Sequence, residues 1–67
     1  MTESLGEALP KELARVRVIL GHYHEIGPAG KFGAFLIEQS LQAADEAMVE
    51  GDLVKMIGAY QALKEIM

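Results

Sequence analysis

The residues best able to do chemistry in this 67-residue chain surround a glycine-rich stretch at positions 26–33. Gly30 and Gly33 flank Lys31 and Phe32 directly before a segment with helical spacing. The first N–H groups of a helix have no partner within the helix, and they lie at the positive end of its dipole. A phosphate or carboxylate could therefore bind the N–H groups of Gly30, Lys31 and Phe32, and the Lys31 ammonium would add a full charge.

Two further candidate contacts, Tyr23 and His24, come just before this stretch. An aromatic ring such as Tyr23 or Phe32 can stack on a base. The predicted ligand-binding residues are Tyr23, His24, Gly30, Lys31, Phe32 and Gly33. The alternative interpretation is an ordinary connection between helices, in which the glycines let the backbones approach closely. Neither common phosphate-loop motif, G-x-x-x-x-G-K-[ST] or G-x-G-x-x-G, is present.

The chain offers little for metal binding or catalysis. It has no cysteine, and His22 and His24 are two residues apart, a spacing that directs their rings to different faces of a helix. No arrangement of serine, histidine and aspartate suggests a nucleophilic triad. We therefore expect a protein that is not an enzyme and that holds neither a metal nor a cofactor.

The charge distribution bears on the possible partners. The formal net charge is −4, which argues against nucleic-acid binding because a nucleic-acid backbone requires a positive surface. Positions 38 to 52 contain acidic residues and no basic one, whereas the first predicted helix is basic. Such a run is typical of a solvated helix face, although it could also dock on a basic partner such as the first helix of another copy. The chain shows neither a signal peptide nor a membrane span, so we predict a cytoplasmic protein without a membrane partner.

Hydrophobic spacing predicts three helices and no strand, and hence one all-α, three-helix domain over residues 1–67. After a frayed start, the helices are expected to run from about Pro10 to about Glu25, from Gly30 or Lys31 to about Glu50, and from about Leu53 to Ile66. Gly27 is expected to end the first helix in the left-handed conformation, with Pro28 preventing its continuation. The two-residue connection Gly51-Asp52 predicts a tight antiparallel hairpin of the second and third helices.

Three apolar stripes are expected to face the core. They are Leu13, Val16, Leu20 and Tyr23; Ile37, Leu41, Ala44 and Met48; and Leu53, Met56, Tyr60, Leu63 and Met67. Gly21, inside the first helix, predicts a close approach by another helix. Hydrophobic residues make up 51% of this short chain, which is more than a three-helix core needs, and this surplus favours a homo-oligomer.

One set of spaced residues extends over nearly the whole chain. It reads Leu13-x-x-Val16-x-x-x-Leu20-x-x-Tyr23-x-x-Ile26-Gly27-Pro28-Ala29-Gly30-x-Phe32-Gly33, followed by Ala44, Gly51-Asp52, Met56-Ile57 and Tyr60-x-x-Leu63. This pattern resembles a group of short proteins encoded in tailed bacteriophages and prophages of proteobacteria. The resemblance implies an accessory protein that interferes with host machinery or defence, and it assigns no functional residue.

These observations favour a non-catalytic binding protein. In the form we favour, residues 26–33 of one copy lie beside Tyr23 or His24 of another, and the combined site sequesters a phosphate-bearing small ligand such as a signalling nucleotide. One alternative is a protein-interaction module that blocks or bridges a host protein through a helical face. Another is a structural subunit whose activity is its own assembly.

Overall fold

Three α-helices surround one apolar core in the computed structural model, which describes residues 3–67. Helix α1 is Leu5–Ile26, α2 is Lys31–Glu50 and α3 is Leu53–Lys64, and a short 3-10 turn, Gly27–Gly30, joins α1 to α2. The predicted all-α, three-helix fold is confirmed, and residues 3–67 contain no strand. Met1 and Thr2, part of the predicted frayed start, lie outside the described residues. None of the helices combines the length and the apolar character that a membrane crossing requires within residues 3–67.

Helix α1 begins earlier than the sequence predicted, at Leu5 rather than near Pro10. Pro10 therefore lies inside the helix, where its ring nitrogen cannot donate a backbone hydrogen bond. The physical reason is Leu9, which is completely buried and belongs to the same core cluster as Leu13. Extending the helix by one turn places this side chain in the core, and its burial offsets the lost hydrogen bond.

The core contains only apolar side chains among residues 3–67. Its buried members are Leu9, Leu13, Val16, Ala34, Ile37, Leu41, Ala44, Ala47 and Leu63. The predicted stripes of α1 and α2 are confirmed, whereas the α3 stripe is wrong at both ends. Leu53 and Met67 are 61% and 92% exposed, while Ala59 and Ile66 pack against the core. Leu53 is the first residue of α3 and Met67 follows its end, so neither reaches the segment that packs on the other helices.

The turn between α2 and α3 has the predicted geometry. Gly51 adopts the left-handed conformation, with φ 68° and ψ 24°. The N–H groups of Gly51 and Asp52 donate to the carbonyls of Met48 and Ala47 at 3.2 and 3.3 Å, which is the Schellman arrangement. The Asp52 side chain accepts from the N–H of Lys55 at 3.1 Å and caps α3. Gly51 and Asp52 thus provide hydrogen bonds at the end of α2 and the start of α3, and they bring α3 back against α2.

Most of the acidic residues of α2 have partners within the chain. The pairs are Arg17 with Asp45, His24 with Glu38 and Lys55 with Glu50, at 3.4, 3.2 and 3.1 Å. All are exposed, so each contributes at most about 1 kcal/mol. The hydrogen bond and the charge of Glu50 raise the pKa of Lys55 above its ordinary value. The contact of Arg17 with Asp45 shows that the basic first helix meets the acidic run inside one chain.

A contact that the sequence did not predict fastens the end of α3 to α1. The Nη1 and Nη2 groups of Arg15 donate to the carbonyls of Ile66 and Leu63, both at 2.8 Å. The Arg15 Nε donates to Glu12 at 2.6 Å, which holds the guanidinium in place. Leu63 is in the last turn of α3, and Ile66 follows the end of the helix by two residues. The last carbonyls of a helix have no partner within the helix, so Arg15 acts at Leu63 as a C-terminal cap supplied by another helix.

We expect Arg15→Lys to lower the free energy of unfolding by about 1 kcal/mol, because an ammonium cannot reproduce the forked bonding to two carbonyls. Urea denaturation followed by circular dichroism measures this change. Arg17→Lys is the matched control, since Arg17 contacts only the exposed Asp45 at 3.4 Å, and it should change the value by less than about 0.5 kcal/mol. Equal effects of the two substitutions would contradict the capping role of Arg15.

Candidate functional site

The connection from α1 to α2 is a tight turn and not an open loop. Gly27 has φ 82° and ψ −143°, close to a region that essentially only glycine adopts. Its N–H donates to the carbonyl of His24, which closes α1. The end of α1 requires a glycine at position 27, as predicted. The predicted left-handed conformation is wrong, because the chain enters the 3-10 turn Gly27–Gly30 at this point. Gly30, with φ −90° and ψ 0°, leads directly into α2.

This turn also occupies one of the predicted anion donors. The N–H of Lys31 donates to the carbonyl of Pro28, so it is not available to a phosphate. Gly30 is buried and presents no open surface. The predicted cradle formed by the N–H groups of Gly30, Lys31 and Phe32 is therefore corrected at Lys31. The reason is that the 3-10 turn supplies carbonyls to amides that would otherwise be free at the start of a helix.

Gly30 and Gly33 allow Tyr23 to pack directly against the start of α2. A Cβ atom at Gly30 would lie 2.4 Å from the backbone oxygen of Tyr23. At Gly33 it would lie 2.5 Å from the Cε2 atom of the Tyr23 ring. Close backbone approach therefore accounts for both glycines without a ligand. Gly21 is different, because a Cβ atom there would meet nothing within 4 Å. The prediction that another helix of the same chain approaches Gly21 closely is therefore wrong.

A groove of about 420 Å³ lies between the last turn of α1 and the first two turns of α2. It is lined by Tyr23, His24, Gly27, Pro28, Lys31, Ala34, Phe35 and Glu38. Tyr23, His24 and Lys31 were predicted as ligand contacts, and the fold brings all three together within a single chain. Gly30 and Gly33 lie beneath Tyr23, and Phe32 does not line the groove. A second copy is thus not needed to place Tyr23 and His24 beside the start of α2.

The charged groups of the groove are Lys31, His24 and Glu38. The Nε2 atom of His24 lies 3.2 Å from a Glu38 carboxylate oxygen, and this pair is ionic when His24 is protonated. Lys31 forms no ion pair with any residue between 3 and 67. Its ammonium is therefore the cation of the groove that stays available to an incoming anion.

Five residues of the groove were not predicted as part of a site, and two of them, Phe35 and Glu38, have an aromatic or charged side chain. They follow Lys31 by four and seven residues, so all three lie on one face of α2. This spacing was visible in the sequence. The spacing alone did not indicate a site, because an ordinary solvated helix face has the same spacing. The site became apparent only when the fold placed that face against Tyr23 and His24.

No protein-family model, curated protein or solved structure matches this chain. The resemblance to short phage-encoded proteins therefore stays a prediction. In the part of the chain that the structure describes, no three His, Asp or Glu side chains cluster as metal ligands would. The site is consequently interpreted from its own chemistry, which combines the Lys31 ammonium, the His24 imidazole and two aromatic rings around one groove.

Proposed function

We propose that this protein is a non-catalytic binding protein that sequesters a small ligand carrying a phosphate group and an aromatic ring, such as a signalling nucleotide. The observation that carries this proposal is the groove in which Lys31, His24 and Phe35 come together. The lining residues include no serine, threonine or cysteine, and the groove offers charged and aromatic contacts for binding.

The phosphate would be held by side chains and not by the backbone. Lys31 has no competing carboxylate among residues 3–67, and a lysine ammonium is a common phosphate ligand. His24 can turn from Glu38 toward the phosphate and add a second charged donor when it is protonated. A phosphate on Lys31 would also lie close to the start of α2, where the helix dipole favours negative charge.

The ring of the ligand would contact Phe35. This side chain is 54% exposed although it is aromatic and borders the groove. Stacking of a base on an aromatic side chain contributes about 1–3 kcal/mol. Lys31 and Phe35 are one helical turn apart, roughly 6 Å along the axis, so a nucleotide can reach both residues at once. The groove volume also falls within the usual range for small-molecule sites.

We expect AMP to bind the wild-type protein more tightly than inorganic phosphate or adenosine, because only AMP engages both Lys31 and Phe35. Isothermal titration calorimetry measures the three affinities. Lys31→Ala should lower the affinity for AMP about tenfold, which corresponds to about 1.4 kcal/mol. Lys55→Ala is the matched control, since Lys55 is exposed, pairs with Glu50 and does not line the groove.

Two results would contradict this proposal. One is the absence of heat with AMP, cyclic AMP and inorganic phosphate alike. The other is equal affinity of the Lys31→Ala and Lys55→Ala variants for every ligand that binds. A Phe35→Ala variant separates the two halves of the site, because it should weaken AMP binding and leave phosphate binding unchanged.

A second candidate function is a protein-interaction module, and the hairpin end between α2 and α3 favours it. Val49 and Val54 are 88% and 79% exposed, and Val49 lies beside Glu46 and Glu50. An apolar and acidic face of this kind suits a basic amphipathic helix of a host protein. Capture of a host protein that is lost in the Glu46→Lys and Glu50→Lys variants, but kept in Lys31→Ala, would assign the function to this face.

For either candidate function, we propose a phage-type accessory protein that acts in the host cytoplasm.

A further inference from the structure

Helix α2 carries an apolar patch on the face that points away from the core. Phe32, Phe35 and Leu36 are 73%, 54% and 49% exposed. Their i, i+3, i+4 spacing places them on one side of the helix, opposite the buried Ile37 and Leu41. The first two turns of α2 are thus apolar on both faces, which is typical of a helix that is covered on both faces.

The size of this patch suits a small protein interface. A phenylalanine buries about 150–250 Å² in a full contact, so the three side chains expose roughly 400 Å² per copy. Two such patches, with the residues at their rim, approach the roughly 1,000 Å² of total buried surface that a specific interface needs. A patch of this area is comparable with the largest apolar patch of a typical monomer, which often has a function.

The charges of α2 are arranged to complement a second, antiparallel copy of the same helix. Lys31, its first residue, is its only cation, and its later residues include Glu38 and three more acidic side chains. Lys31 and Glu38 are seven residues apart and flank the patch along one side. Phe35 lies about midway between them, so a twofold axis near Phe35 sets Lys31 of each copy opposite Glu38 of the other. The antiparallel arrangement also pairs the helix dipoles favourably.

A second exposed apolar surface, at the hairpin end, suits self-association less well. It includes Val49 and Val54, and Glu46 and Glu50 lie beside Val49. The nearby cation, Lys55, is already paired with Glu50. Two copies meeting at this surface would therefore bring like charges together, whereas two copies meeting through the start of α2 would bring opposite charges together.

We infer that a second copy of this chain docks on the outward face of α2, in antiparallel orientation. Phe32, Phe35 and Leu36 of the two copies form the apolar centre, and two pairs of Lys31 with Glu38 close one side of it. The interface goes beyond the proposed ligand binding and does not require it. The ligand and the second copy would compete for this surface, because Lys31, Phe35 and Glu38 belong to both the groove and the interface.

Analytical ultracentrifugation of the full chain over a range of concentrations tests this inference. The wild type should sediment as a dimer that dissociates on dilution. Phe35→Glu should be monomeric, because two carboxylates would meet near the twofold axis, and circular dichroism should show that it remains helical. Val54→Glu, a change at a more exposed apolar residue, should leave the dimer intact. A monomeric wild type, or loss of the dimer in Val54→Glu but not in Phe35→Glu, would overturn the inference.

A charge exchange tests the orientation without altering the apolar residues. Lys31→Glu and Glu38→Lys should each raise the dissociation constant of the dimer about tenfold, because each places like charges opposite one another twice. The double variant restores opposite charges in an antiparallel dimer and should return the constant to within about threefold of the wild-type value. A double variant that dimerises no better than either single variant would overturn the antiparallel arrangement.

Discussion

Leu9→Ala should lower the free energy of unfolding by about 2–5 kcal/mol, the usual range for truncating a buried leucine. Leu9 is completely buried, so the substitution leaves a cavity between the helices. The same change at Leu53, which is 61% exposed, should alter the value by less than about 0.5 kcal/mol. Urea denaturation followed by circular dichroism measures both variants, and the wild-type protein is the reference.

This pair of variants tests the structure because the sequence assigned the two leucines the other way round. Hydrophobic spacing placed Leu53 on a core stripe and left Leu9 in a frayed segment before the first helix. A domain of this length is expected to have a total stability of roughly 3–10 kcal/mol, so the loss of Leu9 would remove a large part of it. Similar small effects at both positions would place Leu9 outside the core and the start of α1 near Pro10.

Gly30→Ala should lower the free energy of unfolding by about 1–3 kcal/mol, because the added Cβ atom would lie 2.4 Å from the backbone oxygen of Tyr23. The backbone of Gly30, with φ −90° and ψ 0°, is open to alanine, so the whole cost is steric. Gly33→Ala should cost less, since its contact is with the Tyr23 ring, which can turn aside. The melting temperature should fall by about 4–8 °C for each kcal/mol that is lost.

Gly58→Ala is the matched control for Gly30→Ala. A Cβ atom at Gly58 meets nothing within 4 Å, and the residue lies inside α3. Alanine in the interior of a helix is more stable than glycine by about 1 kcal/mol, so this variant should melt at a higher temperature than the wild type. Stabilisation by Gly30→Ala as well would show that Tyr23 does not pack on the turn as described.

The candidate site could be predicted in part. Tyr23, His24 and Lys31 were predicted as ligand contacts because a cation and aromatic groups cluster around a helix start, and all three line the groove. Phe35 and Glu38 were missed because residues on one helix face gain a shared role only when another element packs beside them. The glycines suggested a phosphate cradle, but Gly30 and Gly33 are required by the Tyr23 contact, which no local pattern shows.

The sequence by itself determined the three helices and the sharp turn at Gly51, because hydrogen bonds and caps between residues at most five apart define those features. The tertiary structure alone decided which apolar residues are buried. Leu9 and Leu53 have the same side chain, yet only Leu9 lies where other helices cover it. It also decided that Arg15 caps α3 across 48 and 51 residues of chain. Burial and long-range contacts depend on how whole helices pack, and spacing within one helix does not contain that information.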